Sequence, residues 1–431
     1  MQATNTNGAA QTDWSFACHL SYGDEGSVCI VSRKAGRVEL RNIPVSAGTS
    51  AAGRPPVFLG VDLQGEAITM DPASKAIAAA GQLPADAFAA YAYRDAEQNH
   101  AWFMYDGDKE TGCDELNCGA SGSSVTVIDV ASGQEMPRYL QTICVGRGHH
   151  VATFVGPLAA FPDIPQRAFV SNLLDGSISV VGNDPADPQS YLKVLETINL
   201  CEPDKEEFDA AAIPNNAFPH GKVFSAHTGR IYSLNNGYGT IAVINPLSNR
   251  IEKTIALKVS SNLLLSPNGR FIIGKGADRK TDPEHVQGRL TVVDAVSGTV
   301  EGMLDLPDLY PSTYRFTPDG TRLYVTSAAT GKGVQRDNLK KNVIQVYDTS
   351  ALPALRLIRE ITVGHADCSR RPIAFVEQNG QVQTVLIPNP TDGSLTLLGG
   401  ADDEVMDTIK ISDGPVGEFS FSLWDGRISG C

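Results

Sequence analysis

Residues 314–327 read YRFTPDGTRLYVTS, and from Asn342 the chain continues NVIQVYDTS. The first stretch is an alternating run, a Pro-Asp-Gly turn and a second run rich in Leu, Tyr and Val, the pattern of two antiparallel strands joined tightly. The second stretch is another alternating strand closed by a polar turn. LLLSPNGRFIIGKG from Leu263 and KVFSAHTGRIYSLN from Lys222 repeat the first phrase. The second phrase occurs seven times: GRVELRNI from Gly36, SSVTVIDVASGQ from Ser123, GSISVVGN from Gly176, GTIAVINPLSNR from Gly239, GRLTVVDAVSGTV from Gly288, NVIQVYDTS, and GSLTLLGG from Gly393. After a wide first interval the copies recur about every 50 to 60 residues, the length of a four-stranded propeller blade.

Joining the phrases gives blades of strands A, B, C and D, counted from the axis outward. Near the C-terminus GEFSFSLWDGRISGC reads as a strand A with its turn, and GSVCIVSRKAGRVELRNIPV near the N-terminus reads as B, C and D. The fold expected is all-β, a seven-bladed β-propeller whose ring is closed by the C-terminal strand, which removes an open sheet edge. Residues 1–26 are then an N-terminal extension and 27–431 the propeller. DPASKAIAAAGQLPADAFAAYA, about 71–92, is expected as a helical insert filling the wide interval, and 106–122 as a long loop.

The composition agrees. Of 431 residues 42% are apolar and 19% charged, enough for a large core. A net charge of −14 argues against nucleic acid or an anionic membrane as partner. No run approaches the roughly 18 apolar residues of a membrane span. The start MQATNTNGAAQTDW lacks the parts of a signal peptide and fits a mature exported chain. The eight cysteines include no CxxC or CxxCH. The close pairs Cys18/Cys29 and Cys113/Cys118 sit where a disulfide would clip a loop, so an oxidising compartment, a bacterial periplasm, is expected.

SPNGRFIIGKG with GRLTVVDAVSGTV, and TPDGTRLYVTS with NVIQVYDTS, resemble the YVTN-type repeats of YncE-like and surface-layer-type bacterial propellers, over roughly residues 27 to 431. The resemblance implies the fold; propellers of this architecture include binders, lactonases, d1-haem proteins and copper enzymes.

In a propeller the D-to-A connections and B-to-C loops share one face, and the A-to-B turns lie on the other. His227 and His100 fall in A-to-B turns and are expected as plain surface residues; His19 has no clear placement. His149 and His150 (GRGHHVATF), His220 (FPHGKVF) and His365 (VGHADCSRR) fall in D-to-A connections, and His285 (TDPEHVQGR) in a B-to-C loop. Neutral imidazoles converging near the axis suit copper, iron, nickel or zinc. The HH pair is similar to that of copper propellers such as nitrous oxide reductase, and the resemblance implies a one- or two-metal copper site on His149, His150, His220 and His365, with His285 as a further ligand. Each imidazole alone is equally an ordinary buried one bonded to a neighbouring backbone. The same rim is expected to present Asp367, Arg370, Glu418 and the candidate catalytic pair Tyr310 and Arg371; arginines beside histidines suit an anionic substrate. Cys368, three residues after His365, is either a copper ligand or half of a disulfide.

Within the long loop, Asp106, Asp108 and Glu110 alternate like the start of a calcium loop, but Thr111 replaces the required glycine. Nucleophile-elbow, Walker A and HExxH patterns are absent. Two functions stay open: a periplasmic redox metalloprotein with a copper-like site at the channel mouth, or a non-catalytic YncE-like binding or scaffold propeller docking a protein or a small-molecule or anionic ligand on its top face. A lactonase is a third and weaker fit.

Overall fold

The computed structural model describes residues 14–22, 25–34, 37–46, 57–61, 66–71, 74–84, 91–105, 118, 123–130, 136–206, 212–278, 281–282, 284–329, 338–367, 371–416, 418–421 and 428–430. The chain is an all-β, seven-bladed propeller. Apart from one short 3-10 turn, Pro203–Lys205, the described residues contain no helix.

Six blades repeat the expected A-B-C-D meander. The second blade is Tyr91–Asp95, His100–Tyr105, Ser123–Asp129 and Arg138–Val145; the third is His149–Val155, Arg167–Asn172, Ser177–Gly182 and Val194–Asn199. The fourth is Pro219–Ser225, Arg230–Asn235, Thr240–Asn245 and Arg250–Ala256, and the fifth Asn262–Leu265, Phe271–Asp278, Gln287–Asp294 and Thr299–Pro307. The sixth is Pro311–Phe316, Arg322–Ser327, Val343–Asp348 and Arg356–Thr362, and the seventh Ala374–Gln378, Gln381–Asn389, Ser394–Gly399 and Val405–Lys410.

The first blade closes the ring. Glu418–Phe421 pairs with Trp14–Tyr22, placing Phe16 opposite Phe421, and Glu25–Lys34 and Arg37–Ser46 complete the sheet. The propeller therefore reaches back to Trp14, ahead of the boundary expected at residue 27, because the expected strand B at GSVCIVS is strand C. Cys18 and Cys29 are register partners in that sheet. Beyond the closing strand the chain returns as Ile428–Gly430 and adds to the inner edge of the seventh blade.

The described residues of the helical insert expected near 71–92 form no helix. Ile77–Ala79 pairs with Ala67–Met70, which pairs with Val57–Val61, making a separate three-stranded sheet. Leu83–Pro84 then adds to the first blade and Tyr91–Asp95 opens the second. Gly81 and Pro84 interrupt any helix that the alanines would favour. The extra sheet packs Leu59, Ile68 and Met70 on Ala101, Phe103, Ile128 and Val130 of the second blade.

The middle strands show why simple polar–apolar alternation is missing. Ser177–Gly182 is buried at every position, as are Ser123–Asp129 and Ser394–Gly399. A blade is covered on both faces by its neighbours, so both sets of alternating side chains enter a core. In the fourth blade Ile231, Ala242 and Ile244 join the third blade's Phe169, Ile178 and Val180, while Tyr232, Ile241 and Val243 join the fifth blade's Leu263, Ile272 and Val293.

Tyrosine hydroxyls tie blades across these cores. Tyr232 donates to the Ala295 carbonyl at 2.7 Å, and Tyr324 donates to the buried Asp403 carboxylate, which Arg322 also holds at 2.8 Å. Hydrogen bonds to neutral acceptors contribute about 1 kcal/mol, those to charged ones about 1.5–3 kcal/mol. Tyr324→Phe is therefore expected to lower the urea-unfolding midpoint more than Tyr232→Phe. Equal shifts would show that Asp403 re-pairs once the hydroxyl is gone.

Candidate functional site in the central channel

The GRGHH turn is shaped by its glycines. A Cβ on Gly146 would stand 2.6 Å from the Asn172 side chain, and Gly148 has a φ of 60°. Between them Arg147 bonds Asp175 twice, through its backbone N–H at 2.8 Å and its Nε at 2.7 Å. His149 and His150 then open the inner strand of the third blade, where the ladder slips between His149 and Ala152. That irregularity removes the simple one-in, one-out assignment of the two histidines; their side chains lie outside the described residues. The inner strand of the fourth blade slips at the same place, between Pro219 and Gly221, around His220.

His220 faces a channel cavity of about 760 Å³ lined by inner strands of several blades. Tyr93, Val151, Lys222, Lys275, Tyr310 and Arg315 share the wall with it. Burial first, and then the charge of Lys275, lower the His220 pKa to about 4, opposed by a hydrogen bond with the Ser261 backbone. Lys222 is buried and its pKa pushed well down by desolvation; its Nζ donates to the Val151 carbonyl at 3.2 Å and Ser171 Oγ at 2.9 Å. Lys275, also buried, donates to the Pro311 carbonyl at 3.2 Å and lies 5.5 Å from the Tyr314 ring centre. Among the described residues lining the cavity there is no carboxylate.

Of the expected site residues whose side chains are described, only His220 and Tyr310 line this cavity. His285 is exposed on the B-to-C loop of the fifth blade, its Nδ1 2.7 Å from both Asp308 Oδ1 and Asn338 Nδ2, and the hydrogen bond with Asp308 raises its pKa. His365 is exposed before the seventh blade, where its N–H donates to Asp392 at 2.7 Å. Arg371, expected to meet substrate, has 0% of its surface exposed. Its Nη2 donates to the Lys341 and Gly364 carbonyls, each at 2.7 Å, so it braces the connection into the seventh blade. Asp367 pairs with Lys341 at 2.6 Å. No three His, Cys, Asp or Glu side chains converge as a metal site among the described residues. Asp106, Asp108 and Glu110, Cys368 and Arg370 lie outside them, and of Glu418 only the backbone is described.

Two further expectations change. Cys118 is bonded to Cys144 on the outer strand of the second blade rather than to Cys113. His100 is not a surface residue: it is buried near Asp95 and Asp129, and desolvation lowers its pKa. The basic wall lies outside the histidine pattern that the sequence displays most plainly. Its signal was present, since Lys222 in PHGKVF and Lys275 in FIIGKGAD each stand between glycine or apolar neighbours inside a strand.

No family model matches the sequence, and no curated protein does. Solved structures do. A putative 6-phosphogluconolactonase from Bacteroides fragilis is 12% identical, with 94% of this chain and 97% of that one covered and a TM-score of 0.54. A putative 6-phosphogluconolactonase from Bacteroides uniformis is 14% identical (95% and 100%, TM-score 0.53). The periplasmic gluconolactonase of Pseudomonas aeruginosa is 12% identical (95% and 99%, TM-score 0.51). The likeness is one of fold.

Between His220's ordinary value of 6.5 and about 4, the unfolded chain takes up a proton that the folded one refuses. The stability from neutral His220 is fully present above 6.5 and lost as pH falls toward 4. The urea midpoint should therefore drop over that window, and His220→Gln should flatten the drop. An unchanged slope would place the titration elsewhere.

Proposed function

We propose that this protein is a binding propeller that takes a small anionic ligand in its central channel. The observation that carries the reading is a concentration of basic side chains in a chain of net charge −14: Lys222, Lys275 and Arg315 line the cavity, with no carboxylate among its described lining residues. An incoming anion adds negative charge where the described lining carries no carboxylate, and it favours protonation of Lys222 and His220. Tyr310, Ser312 and Thr313 add hydroxyls to the wall. A sugar acid, with one carboxylate or phosphate and several hydroxyls, suits this lining. The fold neighbours named as lactonases make 6-phosphogluconate the first probe. The Cys118–Cys144 bond supports the exported, periplasmic setting expected from the sequence.

A copper site is the second reading. Supporting it, the inner strand that begins His149–His150 lies beside the one carrying His220. Against it, Lys275 adds positive charge next to His220, and neither His285 nor His365 reaches the channel cavity.

Titration calorimetry with 6-phosphogluconate, followed by elemental analysis after copper loading, separates the two. Binding weakened roughly tenfold or more by Lys275→Met, a loss of about 1.4 kcal/mol, is the expected result. No binding of 6-phosphogluconate or inorganic phosphate, together with stoichiometric copper that His220→Ala abolishes, would replace this reading with the metal one.

A further inference from the structure

Two residues of the channel wall break the repeat that shapes the rest of it. The register places Thr153, Val223, Leu264 and Arg315 at one position of strand A in the third to sixth blades. Of these blades only the sixth has a basic residue there. On strand B, Ser171, Leu234, Lys275 and Thr326 share one position, and of the same blades only the fifth has a basic residue. Blade packing asks for neither exception, since the third and fourth blades form a shared core without them. Both residues line the same cavity of about 760 Å³. That volume falls within the roughly 300–1,000 Å³ of small-molecule sites.

The two stand at different depths. Lys275 Nζ donates to the carbonyl of Pro311, the residue that opens the inner strand of the sixth blade. Lys275 keeps 8% of its surface exposed, and the half-buried His220 lies close enough to feel its charge. Arg315 comes four residues further along that inner strand, next to its last residue. It is half-buried, and its guanidinium carbon stands 5.3 Å from the ring centre of Phe375 in the seventh blade. A strand rises about 3.3 Å per residue, so the wall between Pro311 and Arg315 is at most about 13 Å long. A charge-assisted hydrogen bond spans about 2.8 Å at each end, which leaves roughly 7 Å for a ligand between its two anionic groups.

We propose that the channel selects a linear, polyhydroxylated dianion, with one negative group held at Lys275 and the other at Arg315. The proposal rests on the anion-binding reading above and names the class of ligand within it. With C–C bonds of about 1.5 Å, an extended chain of about six carbons fills the gap. The hydroxyls of Ser312 and Thr313, on the strand between the two ends, suit hydroxyls along that chain. A planar guanidinium pairs with a carboxylate or a phosphate through two parallel N–H donors, so Arg315 fits either group. Sugar acids with a second acidic group at the far end form the class.

The test is calorimetry on the full chain with four ligands. 6-Phosphogluconate carries both groups, gluconate only the carboxylate, glucose 6-phosphate only the phosphate, and 3-phosphoglycerate both on a chain half as long. 6-Phosphogluconate should bind roughly tenfold or more tightly than each of the others. Arg315→Met should bring it down to the level of the one-ended ligands, and Arg315→Lys should keep part of the advantage. If Arg315→Met does not fold, the four ligands on the unaltered chain decide alone. Equal affinity for 6-phosphogluconate and a one-ended ligand would overturn the proposal and leave the channel a simple anion site. An advantage that Arg315→Met leaves intact would overturn it too. If none of the four binds, the anion reading itself falls, and this proposal with it.

Discussion

The structure depends on each blade having to serve two cores at once. Trp102, Val125 and Val127 of the second blade pack with Ala152, Ala168 and Val170 of the third; Phe271, Ile273 and Leu290 of the fifth pack with Tyr314, Phe316 and Leu323 of the sixth. No blade buries its apolar surface alone, so the ring, not the blade, is the stable unit. Polar groups on the middle strands are sealed in by the same packing. Many bond within the blade, as the Nδ2 groups of Asn172 and Asn389 do, or across to the next one, as Tyr232 and Tyr324 do. Where sequence denies such a partner, at Asn235, the buried amide is left unpaired.

A second regularity follows from the ring geometry. In blades two to seven the ladder between strands C and D slips once, at Val127/Ile128, Val180/Val181, Val243/Ile244, Val292/Val293, Val346/Tyr347 and Leu397/Leu398. A bulge at a fixed position adds local twist, and the blade splays from axis to rim. Outer strands such as Arg250–Ala256 and Arg356–Thr362 are exposed at most positions and carry charges along their free edges, which discourages pairing with other chains.

The blade count and ring closure were legible because both rest on repetition: the phrase around YVTS and VYDTS is dictated by the same double-sided burial in each copy. What failed is what repetition does not constrain. The alanine-rich stretch after Asp71 reads as helix by propensity alone, yet pairing with Ala67–Met70 overrides it. His285 lies between strands B and C of the fifth blade and His365 between the sixth and seventh blades, but such connections span a wide face, and both histidines are exposed beside Asp308 and Asp392. Arg371 looked like a substrate-facing cation because nothing in SRRPI says that two backbone carbonyls will enclose it. Lys222 and Lys275 were the more telling residues, since a lysine inside a buried strand needs a reason that a histidine does not.

Ring closure also sets an order of assembly during synthesis. The second to seventh blades are built from contiguous segments, so each can pair its own strands during synthesis and pack once its neighbour has emerged. The first cannot: Phe16 waits for Phe421, and the inner strand of the seventh blade gains Ile428–Gly430 later still. Until then the growing chain carries a row of paired blades with one strand-hungry sheet at its leading end. A nascent chain stalled short of residue 418 would expose that sheet to other polypeptides, and it is at this stage that chaperone capture or misassembly has its opening.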